Sequence, residues 1–135
     1  FLDYPLLSTR YLFWGNYKYD LAGFLHWGGN LYQPGQDPYT VNCPYHTNAN
    51  SNNMLPAGDT HIVYPGEGEN VYTSMRLEVH RESEDDFELL RIIAARDKEK
   101  ADAICAECFR AFNDVNYDPV HFENVHKMLL EEASV

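Results

Sequence analysis

Two short segments carry strand character in this chain, and that limits what it can fold into more than any other feature. Gly23–Trp27 (GFLHW) is a brief, mostly apolar run that reads as a buried strand, too short and too apolar to be half-exposed. Thr60–Tyr64 (THIVY) has alternating, β-branched character, and Pro65-Gly66 ends it. Two strands cannot close a sheet of their own. Between them, residues 28–59 are rich in Gly, Pro, Asn and Gln, including NANSNN at 48–53. Irregular segments of about 30 residues in compact domains are usually functional or disordered.

The rest reads as helix. Asp3 suits a cap and Pro5 a first turn, and Leu7, Tyr11 and Trp14 fall on one face, so the spacing predicts a helix over residues 5–18. Ser74 suits an N-cap for a helix running through Met75, Leu77 and Val79 to Phe87, Leu90 and Ile93. The charged stretch HRESEDD at 80–86 interrupts its apolar stripe, where a kink or break would fit. Lys98–Phe112 is amphipathic through Ala101, Ile104, Cys105, Cys108 and Phe112, and 113–117 is a turn. Asp118 caps a last helix with Pro119 at its first position and Phe122, Val125, Met128 and Leu129 inward.

A β/α barrel needs eight strands and typically about 250 residues. The expected fold class is therefore α/β: the C-terminal portion of a (β/α)8 barrel, about two strands, followed by a helical tail. Residues 1–95 would be the barrel end and 96–135 the tail packed on it. A small open α/β layer, or self-association through exposed strand edges, is the competing account.

Charge narrows the partners. Net charge is −11, from 21 acidic and 10 basic residues, which argues against nucleic acid and anionic membranes. No apolar run approaches the roughly 20 residues of a membrane span. FLDYP lacks the basic end and apolar stretch of a secretory signal, although a first residue other than Met is what a piece of a longer chain would have. Three cysteines give no even disulfide framework, which favours the cytoplasm. Cys105 and Cys108 read as reduced helical thiols. Cys43 and His46, with His61, have ligand-like spacing but no second close pair, so neither metal nor cofactor is expected.

Three blocks carry a family resemblance: Arg10–Trp14 followed by YKYDLAGFLHWGGN, then GDTHIVYPG at 58–66, then SMRLEVHRESEDDFELL at 74–90. In this order and spacing the chain resembles the C-terminal end of the catalytic domain of glycoside hydrolase family 123, which includes bacterial β-N-acetylgalactosaminidases. The resemblance covers roughly residues 1–95. Its third block usually has a glycine where this chain has Ser83 and an apolar residue where it has Glu84. The resemblance implies a (β/α)8 barrel with a sugar site at the C-terminal ends of the strands. It also implies a substrate-assisted mechanism, in which the sugar's 2-acetamido group attacks the anomeric carbon. An Asp orients that group and an adjacent Glu serves as general acid and base. No Asp-Glu dipeptide occurs in the 135 residues. Asp85-Asp86 and Glu131-Glu132 fall in predicted helices, so no catalytic residue is assigned.

Four residues are candidate carbohydrate contacts. Trp27 ends the first strand, where it would stack on a sugar or form core under the loop. Asn30 would hydrogen-bond hydroxyls or serve the turn after Gly28-Gly29. Tyr64 would reach the pocket or pack on its rim. Arg76 would bind a sugar oxygen or a carboxylate, or tie helix to barrel. His26 alternates with Trp27 and would point to the opposite face. Asp59 reads as a turn residue. Arg81, Asp85 and Asp86 read as a structural ion-pair set. The expected function is one wall of a sugar pocket, for N-acetylhexosamine, in a carbohydrate-active protein that is inactive as this chain alone. The alternatives are a non-catalytic glycan-binding module and a structural or oligomerisation segment.

Overall fold

The computed structural model describes the backbone of residues 2–41, 45–48 and 51–135, with side chains outside 42–53. In chain order the elements are α1 (Leu6–Arg10), α2 (Leu12–Tyr19), β1 (Tyr45–Asn48), β2 (Ser51–Met54), β3 (Tyr64–Pro65), β4 (Val71–Tyr72), α3 (Met75–Ala94), α4 (Lys98–Cys108), β5 (Phe109–Ala111), β6 (Asp114–Val115) and α5 (Pro119–Ala133). The strands form three separate antiparallel pairs, β1–β2, β3–β4 and β5–β6. No closed barrel is present among the described residues.

The chain divides into two compact units. One holds the segment ending at Tyr4 and Leu25–Glu78, and the other Pro5–Phe24 and Val79–Val135. The second unit owns the apolar core: Tyr11, Trp14, Leu90, Ile93, Ile104, Phe109, Phe122, Val125 and Leu129 are buried in one cluster. Its rings meet edge-on, Tyr11 against Trp14 at 5.9 Å and against Phe122 at 5.7 Å between centroids. Gly15 lets β5 and the turn after it close on α2, because a Cβ there would stand 2.9 Å from the Phe112 ring and 3.1 Å from that of Phe109.

Polar groups inside this core are paired. Asp86 has no exposed side-chain surface, yet it accepts from Arg10 Nε at 2.6 Å, Arg10 Nη2 at 2.9 Å and Trp14 Nε1 at 2.8 Å. His126 Nε2 lies 3.3 Å from Oδ1, the oxygen that also accepts from Arg10 Nη2. Burial alone would raise the Asp86 pKa; hydrogen bonds from His126, Arg10 and Trp14 outweigh it and hold the group below its ordinary value. Asp86 thus belongs to a structural ion pair whose partner is Arg10 of α1.

Ser83, also buried, explains why the predicted helix over 5–18 divides at Tyr11. Its Oγ donates to the Arg10 carbonyl at 2.5 Å and accepts from the Phe13 N–H at 3.1 Å, so α1 and α2 share a side chain where a helical bond would otherwise continue. No break occurs at HRESEDD, for α3 is one helix of 20 residues. Asp118 caps α5 with Pro119 at the first position, as expected. The amphipathic stretch from Lys98 ends four residues early, because Phe109 is extended and begins a hairpin with β6.

The two predicted strands are not strands. Gly23–Trp27 forms no ladder among the described residues, and Leu25 is 89 % exposed. Strand propensity reports packing within a sheet, and among the described residues no strand pairs with this segment. In THIVY only Tyr64 enters a strand, while His61 makes an isolated antiparallel bridge to Asn30. Residues 29–31, just after the first segment, meet the second in antiparallel fashion, with Leu31 N–H on the Thr60 carbonyl at 3.0 Å and Ile62 N–H on that of Gly29 at 2.8 Å. Neighbouring strands of a barrel run parallel, so this is not that pairing.

Replacing Asp86 by Asn removes the buried partner of Arg10, leaving it only the more exposed Glu82 carboxylate at 3.1 Å, and is expected to cost about 3 kcal/mol. Leu25→Ala, at an exposed position, should change stability by less than about 0.5 kcal/mol. Urea unfolding followed by far-UV circular dichroism checks both; comparable losses would contradict the assignment of the core.

Candidate functional site

The first unit is built differently, because its buried residues are mostly polar. Ala57, Gly58, Asp59, Thr60, His61 and Arg76 are buried in succession or in contact. The backbone needs Gly58 for two reasons. Its φ is +75°, and a Cβ would stand 2.5 Å from Arg76 Nη1. That close approach lets Nη1 donate to the Gly58 carbonyl at 2.7 Å. Ser74 fixes the start of α3, accepting from the Leu77 N–H at 3.2 Å and donating to the Ile62 carbonyl at 2.5 Å. Arg76 is thus delivered to the turn by a capped helix.

Asp59 is the residue that sequence reasoning placed as a mere turn. Its carboxylate accepts the Trp27 indole N–H at 2.9 Å, and its backbone carbonyl lies 2.6 Å from His26 Nε2. His26 and Trp27 therefore reach the same residue, against the expectation that they face opposite ways. Without a strand there is no alternation to separate them. Trp27 has its polar edge held by a buried acid while the residue stays 48 % exposed. The only sequence signal for this was an acid after a glycine at a strand start, 32 residues from its partner.

His61 sits among rings, 5.0 Å from Tyr64 edge-on and 5.7 Å from Tyr32, with its Nδ1 2.8 Å from the Thr60 hydroxyl. Burial lowers its pKa, and the nearby Arg76 charge lowers it further. Tyr39 stacks on Tyr64 at 5.2 Å and donates to the Pro65 carbonyl at 2.5 Å.

All four predicted contacts converge on residues 58–64. Trp27 bonds to Asp59, Asn30 bridges His61 through its backbone, Tyr64 lies within the segment, and Arg76 grips Gly58. Asn30 is exposed, Tyr64 half-buried. The void beside Thr60 and His61 is about 10 Å³, too small for a sugar. A groove of about 300 Å³ lies between α4 and α5, lined by Lys100, Ile104 and Met128 among others, and includes none of the four. No cluster of three or more ligating side chains occurs among the described residues, and Cys43 lies outside them. Cys105 and Cys108 are free and buried, and burial pushes their thiols up to about 12 and about 11, which keeps them unreactive. Among the described residues no helix is long and apolar enough to cross a membrane.

An aromatic plate beside a buried acid, on a segment of mixed helix and small strands, is compatible with a carbohydrate-active domain. Residues 1–93 match the model of the glycoside hydrolase 123 catalytic domain, and the chain belongs to that family. Compared with curated proteins, it matches none. The match ends just before Ala94, so α4, the β5–β6 hairpin and α5 lie beyond it.

The lowered His61 pKa fixes a pH dependence. On unfolding, His61 regains its ordinary value near 6.5 and takes up a proton that the folded state refuses. Stability of this unit should therefore fall as pH drops below about 6.5. Thermal melts between pH 8 and pH 5 should show that slope, and His61→Asn should flatten it.

Proposed function

We propose that this chain is part of a carbohydrate-active, glycoside hydrolase-like protein and contributes one wall of a sugar pocket without supplying the catalytic pair. The observation that carries this reading is Trp27: a half-exposed indole whose N–H is fixed by the Asp59 carboxylate, on a chain that belongs to a glycoside hydrolase family. An indole held by its edge keeps its orientation, and its apolar face suits the C–H side of a sugar ring. Asn30 offers hydroxyls an amide, and Tyr64 and Arg76 offer donors nearby. N-acetylhexosamine is the sugar this reading favours. Membership of the glycoside hydrolase 123 family is what supports reading the chain as the C-terminal portion of a (β/α)8 barrel. Residues 1–95 are the barrel end in this reading, and 96–135 a helical tail packed on it.

Intrinsic fluorescence tests this, because Trp14 is fully buried and Trp27 is not. Titration with N-acetylgalactosamine and N-acetylglucosamine should give a saturable change in emission that is lost in Trp27→Ala. The chain should release no aglycone from an aryl N-acetylhexosaminide. An emission spectrum indifferent to both sugars would remove the reading.

A second reading is favoured by Leu25 and its neighbour Phe24, which leave apolar surface on a segment with no ladder of its own. In that reading the segment pairs with another copy. Sedimentation should then give a mass above one chain that Leu25→Glu returns to one; a monomer at all concentrations rejects it.

A further inference from the structure

Two arginines in this protein, Arg10 partly buried and Arg76 buried, are treated differently. Arg10 presents its Nε and Nη2 side by side to the Asp86 carboxylate, at 2.6 and 2.9 Å, and so fills the guanidinium edge that best fits a carboxylate. Arg76 is 4 % exposed and offers the same edge to no carboxylate. Its Nη1 is used on the Gly58 carbonyl, Nη2 only approaches the Tyr64 hydroxyl at 3.5 Å, and Nε is buried without a hydrogen-bond partner. No ion pair to Arg76 occurs among the described residues, and residues 1 and 42–53 contain neither Asp nor Glu.

The surroundings add to the demand for negative charge. Arg76 is the second residue of α3, a 20-residue helix whose N-terminus carries the positive end of the macrodipole. A desolvated cation with an unused N–H is unfavourable unless something pairs with it. The grip of Nη1 on Gly58 fixes the plane of the guanidinium, and with it the direction of the Nε–Nη2 edge. Tyr64, accepting from Nη2, keeps its own O–H to donate. Three donors thus meet the two oxygens of one carboxylate.

We propose that the Nε–Nη2 edge of Arg76, with the Tyr64 hydroxyl, is a carboxylate-binding site, and that its ligand is a sugar acid. The carboxylate part stands on this geometry alone; the sugar part rests on the carbohydrate reading above. Nε is closed to solvent, so the ligand enters by displacing side chains over it.

The test is titration of the ¹⁵N-labelled full chain while the arginine Nε–Hε signals are observed at constant ionic strength. Sodium acetate and sodium glucuronate should move the Arg76 signal saturably, glucose and sodium chloride should not, and the Arg10 signal should stay in place. Glucuronate should half-saturate at about tenfold lower concentration than acetate, and Tyr64→Phe should weaken both by several-fold with an unchanged circular dichroism spectrum. A stationary Arg76 signal with both carboxylates, or an equal shift with chloride, overturns the site. Acetate binding as tightly as glucuronate overturns the sugar-acid ligand and leaves Trp27 and neutral sugars to be judged by fluorescence.

Discussion

The fully buried carboxylate of Asp86 organises the helical unit. One side chain of α3 receives a two-pronged guanidinium from α1, an indole N–H from α2 and an imidazole from α5. Burying a charge is costly unless it is paired and hydrogen-bonded, so these four elements have one arrangement in which the cost is met. The apolar cluster around Trp14 and Phe122 supplies the bulk of the stabilisation, but hydrophobic burial is non-directional. The ionic node supplies direction. Arg10 also lies over the face of Phe122 at 5.2 Å, and the His126 ring stacks on the same phenyl, so the node and the core share a wall.

The helices were legible in the sequence and the strands were not. Leu90, Ile93, Ile104, Val125 and Leu129 fall at helical spacing, and all of them are buried. Asp118-Pro119 marks a helix start by local chemistry alone. Gly23–Trp27 has strand composition, but a ladder needs a second backbone, and composition does not provide one. Phe109 fails in the opposite sense. The apolar period continues through it to Phe112, yet the backbone leaves the helix at Phe109, because the two rings pack across Gly15 on α2. That contact spans about ninety-five positions and leaves no local trace.

Of the candidate site, the residue types were readable and the partners were not. Trp27 and Arg76 stand out by chemistry, and both meet the 58–64 segment. Asp59 does not stand out, because a carboxylate after a glycine is ordinary turn chemistry until an indole is placed against it. Ser83 is a similar case. Its hydroxyl joins two helices by serving one carbonyl and one N–H at once. Single side chains that answer distant backbone groups are invisible to any reading by periodicity.

The socket at Gly15 bears on how the family boundary should be understood. The match stops at residue 93, but the phenyl rings of Phe109 and Phe112 come from beyond it and rest against a glycine from well inside it. The C-terminal forty-odd residues are consequently no detachable appendage of this unit. Cutting at the boundary would leave the indole of Trp14 and the phenol of Tyr11 facing water, so homology and foldability draw their lines in different places along this polypeptide.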